Sequence, residues 1–184
     1  MIIKDIHFTL RDGREAVIRS PRDEDAESML HYLCVSSGET DFLLRYPEEC
    51  KQYTVEDEKK LFAQKNESEH QAMLVCLVDG KVAGSCVISV YTEMKMKHRA
   101  AVAIALLREY WNQGIGTRML QEMIHIAESF EDIIQIELEY VEGNIRARHL
   151  YEKMGFRITG VRLDAIRLKN GSLLNEYMMV KKIK

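Results

Sequence analysis

Apolar and polar residues alternate at the start of the chain, where Ile6, Phe8 and Leu10 are spaced by polar neighbours. Asp12-Gly13 supplies a turn and Ala16-Val17-Ile18 runs on extended, which predicts an N-terminal hairpin. Ser20-Pro21-Arg22-Asp23 predicts a helix start with Ser20 as cap, and Ala26, Met29, Leu30 and Leu33 share one face of that helix. Gly38 to Tyr53 reads as irregular, and Thr54-Val55-Glu56-Asp57 caps a charged helix running to about Asn66. Strands follow at Met73–Val78 and Val82–Val90 around an Asp79-Gly80 turn, and a third runs from about Lys97 to Leu107. The third is apolar on both faces from Ala100 to Leu107, as a doubly covered central strand would be. Gly114 opens a helix whose Ile115, Met119, Met123, Ile126 and Phe130 form one stripe. A strand from Ile133 to about Tyr140, a helix from Asn144 to Met154, and strands from Phe156 and Leu173 around Asn170-Gly171 complete the pattern.

Strands alternating with helices, with hairpins at both ends, predict an α/β (α+β) fold. With no linker, repeat or low-complexity tract, residues 1–184 read as one domain. Hydrophobic residues make up 46% and charged residues 30%, with net charge −3, so no basic footprint suggests nucleic acid. The longest apolar run, Ala100 to Leu107, is far short of the roughly 20 residues a membrane helix needs. Lys4 and Asp5 break any signal-peptide core, so a cytoplasmic protein with no membrane partner is expected. Cys34, Cys50, Cys76 and Cys86 form no Cys-x-x-Cys pair, and no histidine pair has ligand spacing; four reduced thiols and no metal are expected.

Two segments carry candidate chemistry. In Leu106-Leu107-Arg108-Glu109-Tyr110-Trp111-Asn112-Gln113-Gly114-Ile115-Gly116-Thr117, a strand enters a loop with two glycines and leaves as a helix. Free amides and the helix dipole suit an anion there, and phosphate is the natural guest. The spacing is neither a P-loop nor Gly-x-Gly-x-x-Gly, and a tight turn without a ligand explains it equally well. In the second segment Asn144 can cap a helix and Gly155 can end it; Tyr151 lies about two turns after Asn144, on the same face. A tyrosine so placed is ordinarily a packing residue.

Together the segments resemble the GCN5-related N-acetyltransferases. The resemblance rests on Gln113-Gly114-Ile115-Gly116 before a helix, and on Glu142-Gly143-Asn144, Ala147 and Leu150-Tyr151-Glu152-Lys153-Met154-Gly155-Phe156 after the next strand. It covers roughly Val82 to the C-terminus. It implies a mixed, mostly antiparallel sheet of six to seven strands with helices on both faces and an N-terminal hairpin. It also implies acetyl-CoA as acyl donor, an amine acceptor attacking directly in a ternary complex, no metal and no covalent enzyme intermediate. A homodimer is within what it implies.

Carried over residue by residue, the resemblance places pyrophosphate on Gln113, Gly114, Ile115, Gly116 and Thr117, and the pantetheine arm beside Leu106 and Leu107. A backbone amide there would polarise the thioester carbonyl. Asn144 would contact the cofactor and Tyr151 would be the general acid. The strand before the loop, Ala100 to Ala105, has no acid where relatives often carry a glutamate. His98, Glu137 or Glu139 could replace it as base, or the amine could arrive deprotonated through water. Trp111 stands where relatives often carry Gln or Arg; it is expected to pack under the loop while Arg108 or Arg118 supplies positive charge. Asp41, Glu48, Glu49 and Asp164 are acids that could meet a cationic acceptor, though charged loops are usually just solvated. The missing acid also leaves open a non-catalytic acyl-CoA-binding sensor or subunit.

Overall fold

The computed structural model describes residues Met1–Lys184. Its strands are β1 (Ile6–Thr9), β2 (Glu15–Arg19), β3 (Gln71–Val78), β4 (Lys81–Val90), β5 (Arg99–Leu106), β6 (Gln135–Val141), β7 (Arg157–Arg167) and β8 (Leu173–Lys182). Its helices are α1 (Ala26–Glu39), α2 (Pro47–Cys50), α3 (Val55–Glu67), α4 (Ile115–Glu128) and α5 (Ile145–Lys153). All eight strands form one sheet in the order β1-β2-β3-β4-β5-β6-β8-β7. The count exceeds the expected six to seven because both hairpin strands join the sheet: β2 pairs with β3 from Ala16↔Val78 to Arg19↔Val75. No helix is long and apolar enough to cross a membrane.

Helices cover both faces. The Leu106 side chain touches Gly116 of α4, and Leu106 pairs with Gly84 across the sheet, so α4 lies on the face of the even-numbered β4 residues. Cys86 and Ile88 of that face are fully buried. On the other face Ser85 donates to the Tyr32 hydroxyl of α1 (3.2 Å), which donates to the carbonyl of Ala105 (2.9 Å). The expected double cover of β5 holds only in part: Ala100 and Val102 are buried, whereas on the other face Ala101 is half-buried and Ala103 exposed, so part of the apolar run lines the cavity described below.

Local chemistry shifts some boundaries. Ser20 does not cap α1; its Oγ accepts from the Ile3 amide (3.1 Å). Asp25 makes the turn instead, accepting from the Arg22 amide (2.7 Å) while pairing with buried Arg19 (2.6 and 2.8 Å). Tyr46-Pro47 starts the short α2 inside the stretch read as irregular. Thr54 caps α3 as expected, accepting from the Asp57 amide (3.2 Å).

The feature that makes a site is the meeting of β5 and β6. They are the sheet's parallel neighbours, and their register runs only from Arg99↔Gln135 to Ala101↔Glu137. Beyond that the strands part.

Candidate active site

Backbone direction along β5 follows from one bond: the Leu107 amide donates to Ala83 of β4 (2.9 Å). Direction alternates along a strand, so Leu106 and Ile104 turn their amides away from β4, into the gap. Leu107 is therefore corrected: it is buried and its amide is committed to the sheet. The Leu106 carbonyl also faces the gap side and accepts from the Trp111 indole (3.1 Å).

Two cavities meet in this gap. The larger, about 830 Å³, lies over the sheet between β4, β5, β6 and β8 and the residues Phe42, Leu43 and Leu44. The smaller, about 110 Å³, runs from Ala105, Leu106 and Trp111 to Arg146, Ala147 and Leu150. Phe42, Leu43, Ile104, Asn144 and Tyr151 line both. Ile104 and Phe42 were not singled out in the sequence, because an apolar residue in an apolar run carries no chemical signal.

Tyr151 is 6% exposed, and burial pushes its phenol up to about 12. Its ring lies against Tyr140 and Phe156, with centroids 6.4 and 6.2 Å apart. It therefore stays protonated and has no acceptor among its protein neighbours. Asn144 caps α5 with its side-chain oxygen, accepting from Ala147 (3.2 Å), which leaves its amide as a donor beside the cavities.

The glycine loop forms as expected. Gly114 adopts φ +93° immediately before α4, and Ile115, Gly116 and Thr117 present the helix's first amides. Gln113 differs in detail: its side chain turns to the hairpin and accepts from the Asp12 amide (3.2 Å).

Of the proposed bases, His98 does not line the cavity; it precedes β5, eight residues and so about 26 Å from Leu106 at strand spacing. Its carbonyl receives Ile134 (3.0 Å), so its main chain belongs to the closed end of the β5–β6 pair. Glu137 lines the cavity but is held by Arg99 through Nε (3.1 Å) and Nη2 (2.7 and 2.8 Å). Glu137 also lifts the neighbouring Tyr91 phenol to about 12. Glu139 lines the cavity with a 47% exposed side chain and one contact, to Arg162 at 3.3 Å. Glu176, missed in the sequence, lies buried in the same wall and pairs with Arg162. Its position could be found only once β8 was registered against β6, placing Glu176 opposite Val141.

The expected acceptor acids are elsewhere. Glu48 pairs with Lys169, Glu49 accepts from the Tyr46 amide (2.7 Å), and neither Asp41 nor Asp164 lines the large cavity. Nor do Arg108 and Arg118 stand free at the loop: Arg108 donates to the Glu39 carbonyl, and Arg118 pairs with Glu122 (3.5 Å).

The structure thus brings together an open sheet seam with inward amides, a loop of free helix amides and a buried phenol. Residues 40–156 match the Acetyltransferase (GNAT) family. The chain belongs to that family. It is 30% identical over 108 residues to the L-amino acid N-acetyltransferase AaaT of Escherichia coli, covering 59% of this chain and 66% of that protein. It is 31% identical over 94 residues to an N-alpha-acetyltransferase of Sulfurisphaera tokodaii, covering 47% of this chain and 56% of that protein. The matches thus span less than two thirds of either relative.

Among solved structures, a GNAT-family acetyltransferase from Streptococcus pneumoniae superposes with TM-score 0.84 at 28% identity, over 91% of this chain and 99% of that one. YncA of Salmonella typhimurium, solved with its cofactor acetyl-CoA, has the same fold, with TM-score 0.77 at 14% identity over 92% and 94% of the two chains.

Proposed function

We propose that the chain is an N-acetyltransferase that transfers the acetyl group of acetyl-CoA to an amine by direct attack in a ternary complex. The observation that carries this is the junction of two cavities at Ile104, Asn144 and Tyr151. The smaller cavity is walled by Leu106 and Leu150, which lie against Gly116 of the glycine loop, and the larger has room for an acceptor.

The residues present fit acetyl-CoA. Amides of Ile115, Gly116 and Thr117 would hold pyrophosphate, and the β5–β6 seam would hold the pantetheine arm. When bound, acetyl-CoA supplies an acyl group activated by a thiol leaving group. The Ile104 amide stabilises charge developing on the carbonyl oxygen, since Ile104 lines both cavities and Leu106 only the smaller. Tyr151 holds its proton for the departing sulfur. Its raised value does not disqualify it: the burial that lifts the phenol also lifts the proton affinity of a thiolate formed in the same slot. Glu139 removes the acceptor's proton, directly or through water, because it is the least engaged of the cavity carboxylates.

The acceptor stays at the level of an amine, whether a small molecule or a peptide. AaaT is named for L-amino acids and the Sulfurisphaera relative is named an N-alpha-acetyltransferase; both names fit an alpha-amine, and together they do not decide between a free amino acid and a peptide. The proposal includes a cytoplasmic location, supported by four free cysteines.

The test is thiol release from acetyl-CoA across a panel of amines and short peptides, corrected with an acceptor-free blank, with Tyr151→Phe beside it. Release with one amine class that collapses in the variant supports the proposal. Acetyl-CoA binding with no release across the panel would instead favour a non-catalytic acyl-CoA sensor.

A further inference from the structure

Three arginines surround the glycine loop, and their partners differ. Arg118 is offset by Glu122 (3.5 Å). Arg108 is tied to the end of α1, and its amide donates to the Glu39 carboxylate (2.7 Å), which keeps a negative charge beside it. Arg146, in the first turn of α5, has no carboxylate partner. Its guanidinium lies 4.6 Å from the centroid of the Trp111 ring, and Nη1 donates to Asn112 Oδ1 (2.5 Å). Both partners are neutral, so the positive charge is held in place without being cancelled.

Its location gives that charge a use. Arg146 and Trp111 line the smaller cavity, whose wall includes Leu106 and Leu150, the two side chains that lie against Gly116 of the loop. Asn112, which fixes the guanidinium, has φ +64° and stands two residues before Gly114. The indole that carries Arg146 is itself anchored on the Leu106 carbonyl (3.1 Å). One rigid brace therefore connects the strand, the loop and a preset cation.

We propose that Arg146, seated on Trp111, is a phosphate-binding residue that contacts the cofactor's pyrophosphate from the α5 side, opposite the amides of α4. This rests on the acyl-CoA reading above. A guanidinium suits the task because it stacks on an aromatic face while its remaining N–H groups point to phosphate oxygens. Pyrophosphate is assigned rather than the ribose 3′-phosphate because both groups that fix Arg146 belong to the loop itself.

The experiment compares wild type, Arg146→Ala and Arg146→Lys with three thiol ligands: CoA, dephospho-CoA, which lacks the 3′-phosphate, and pantetheine, which lacks every phosphate. Binding is read by calorimetry, so the result does not depend on acyl transfer. Arg146→Ala is expected to weaken CoA and dephospho-CoA alike, by about tenfold or more for the loss of a charged hydrogen bond. Pantetheine should bind all three proteins equally, and Arg146→Lys should recover part of the loss. Weakening confined to CoA would move the contact to the 3′-phosphate and overturn the pyrophosphate assignment. Equal weakening of pantetheine, or no weakening of CoA, would show a packing role and overturn the proposal. If CoA fails to bind wild type at all, the acyl-CoA reading itself falls.

Discussion

The side chain of Leu106 lies on the bare Cα of Gly84: a Cβ there would fall inside van der Waals contact with Leu106 Cδ2 and stand 2.9 Å from the Ala105 carbonyl oxygen. The other methyl, Cδ1, stands 3.2 Å from where a Cβ of Gly116 would be. One leucine thus keys β4, β5 and the glycine loop together. Gly84→Ala is expected to cost about 1–3 kcal/mol of stability through overpacking. It should also raise KM for acetyl-CoA, since the loop and the strand end move with Leu106. Adding Leu106→Ala should return part of the KM loss. Urea unfolding and steady-state kinetics on the three variants check this, and a double variant worse than Gly84→Ala in KM would refute the keying role.

Buried acidic protons predict an alkaline limit to stability. Burial raises Tyr32 and Tyr151 from an ordinary 10.0 to about 12, and Cys76 from 9.0 to about 12. The native state holds these protons more tightly than the unfolded chain does. Their stabilising effect is therefore complete below the unfolded values and is lost as pH rises from there toward 12. Each such group should cost about 1.4 kcal/mol per pH unit in that window. Urea midpoints measured from neutral to strongly alkaline pH, with tyrosinate absorbance followed in parallel, should show the fall. Tyr151 should give kcat no descending limb at moderately alkaline pH.

The three candidate bases separate by kinetics. Glu139→Gln should lower kcat by about 10²–10⁴, the range of general-base catalysis. His98→Ala should leave kcat within about twofold, as surface substitutions do. Glu137→Gln should lower kcat far less than Glu139→Gln, because its carboxylate is already held by Arg99 (2.7 Å). A larger loss of kcat with Glu137→Gln than with Glu139→Gln would reverse the assignment.

The Arg19–Asp25 pair is a structural charge pair, with side chains 7% and 4% exposed. Asp25→Ala leaves the buried guanidinium with the Ser20 carbonyl (3.0 Å) and, as its one carboxylate, Glu24 at 3.6 Å. The expected cost is about 3–5 kcal/mol, because an uncompensated buried charge is far dearer than a surface one. Urea unfolding measures it, and a loss under about 1 kcal/mol would show that the pair behaves as an exposed one.

The sequence foretold the elements whose periodicity was strong. The stripe Ile115, Met119, Met123 and Ile126 became the buried face of α4, while the apolar run of β5 proved covered on one face and open at Ala103 on the other. Local hydrogen-bond choices were less legible, as when Ser20 turned to Ile3 and left the turn to Asp25. The glycine loop and Tyr151 could be named from adjacent residues, since each lies within a short motif. Glu176 and Arg162 could not: strands far apart in sequence bring them to one wall, and a register bulge between Arg162 and Ile166 intervenes. Arg146 was hidden for another reason. An exposed helical arginine is unremarkable until its neighbours prove to be neutral.

The short register of β5 against β6 has a mechanical side. On one flank of the sheet are β1 to β5, on the other β6 to β8, and across the seam only three residue pairs are registered. A pantetheine arm is an extended chain with amides of its own, able to stand in for the ladder that the strands forgo beyond Ala101 and Glu137. A bound cofactor would then act as a ninth strand that stitches the two flanks together. At a hundredfold excess over Kd, such binding adds about 2.7 kcal/mol to the folded state. The reactant would then also be a strut, and its departure would loosen the sheet along the line where the chemistry takes place.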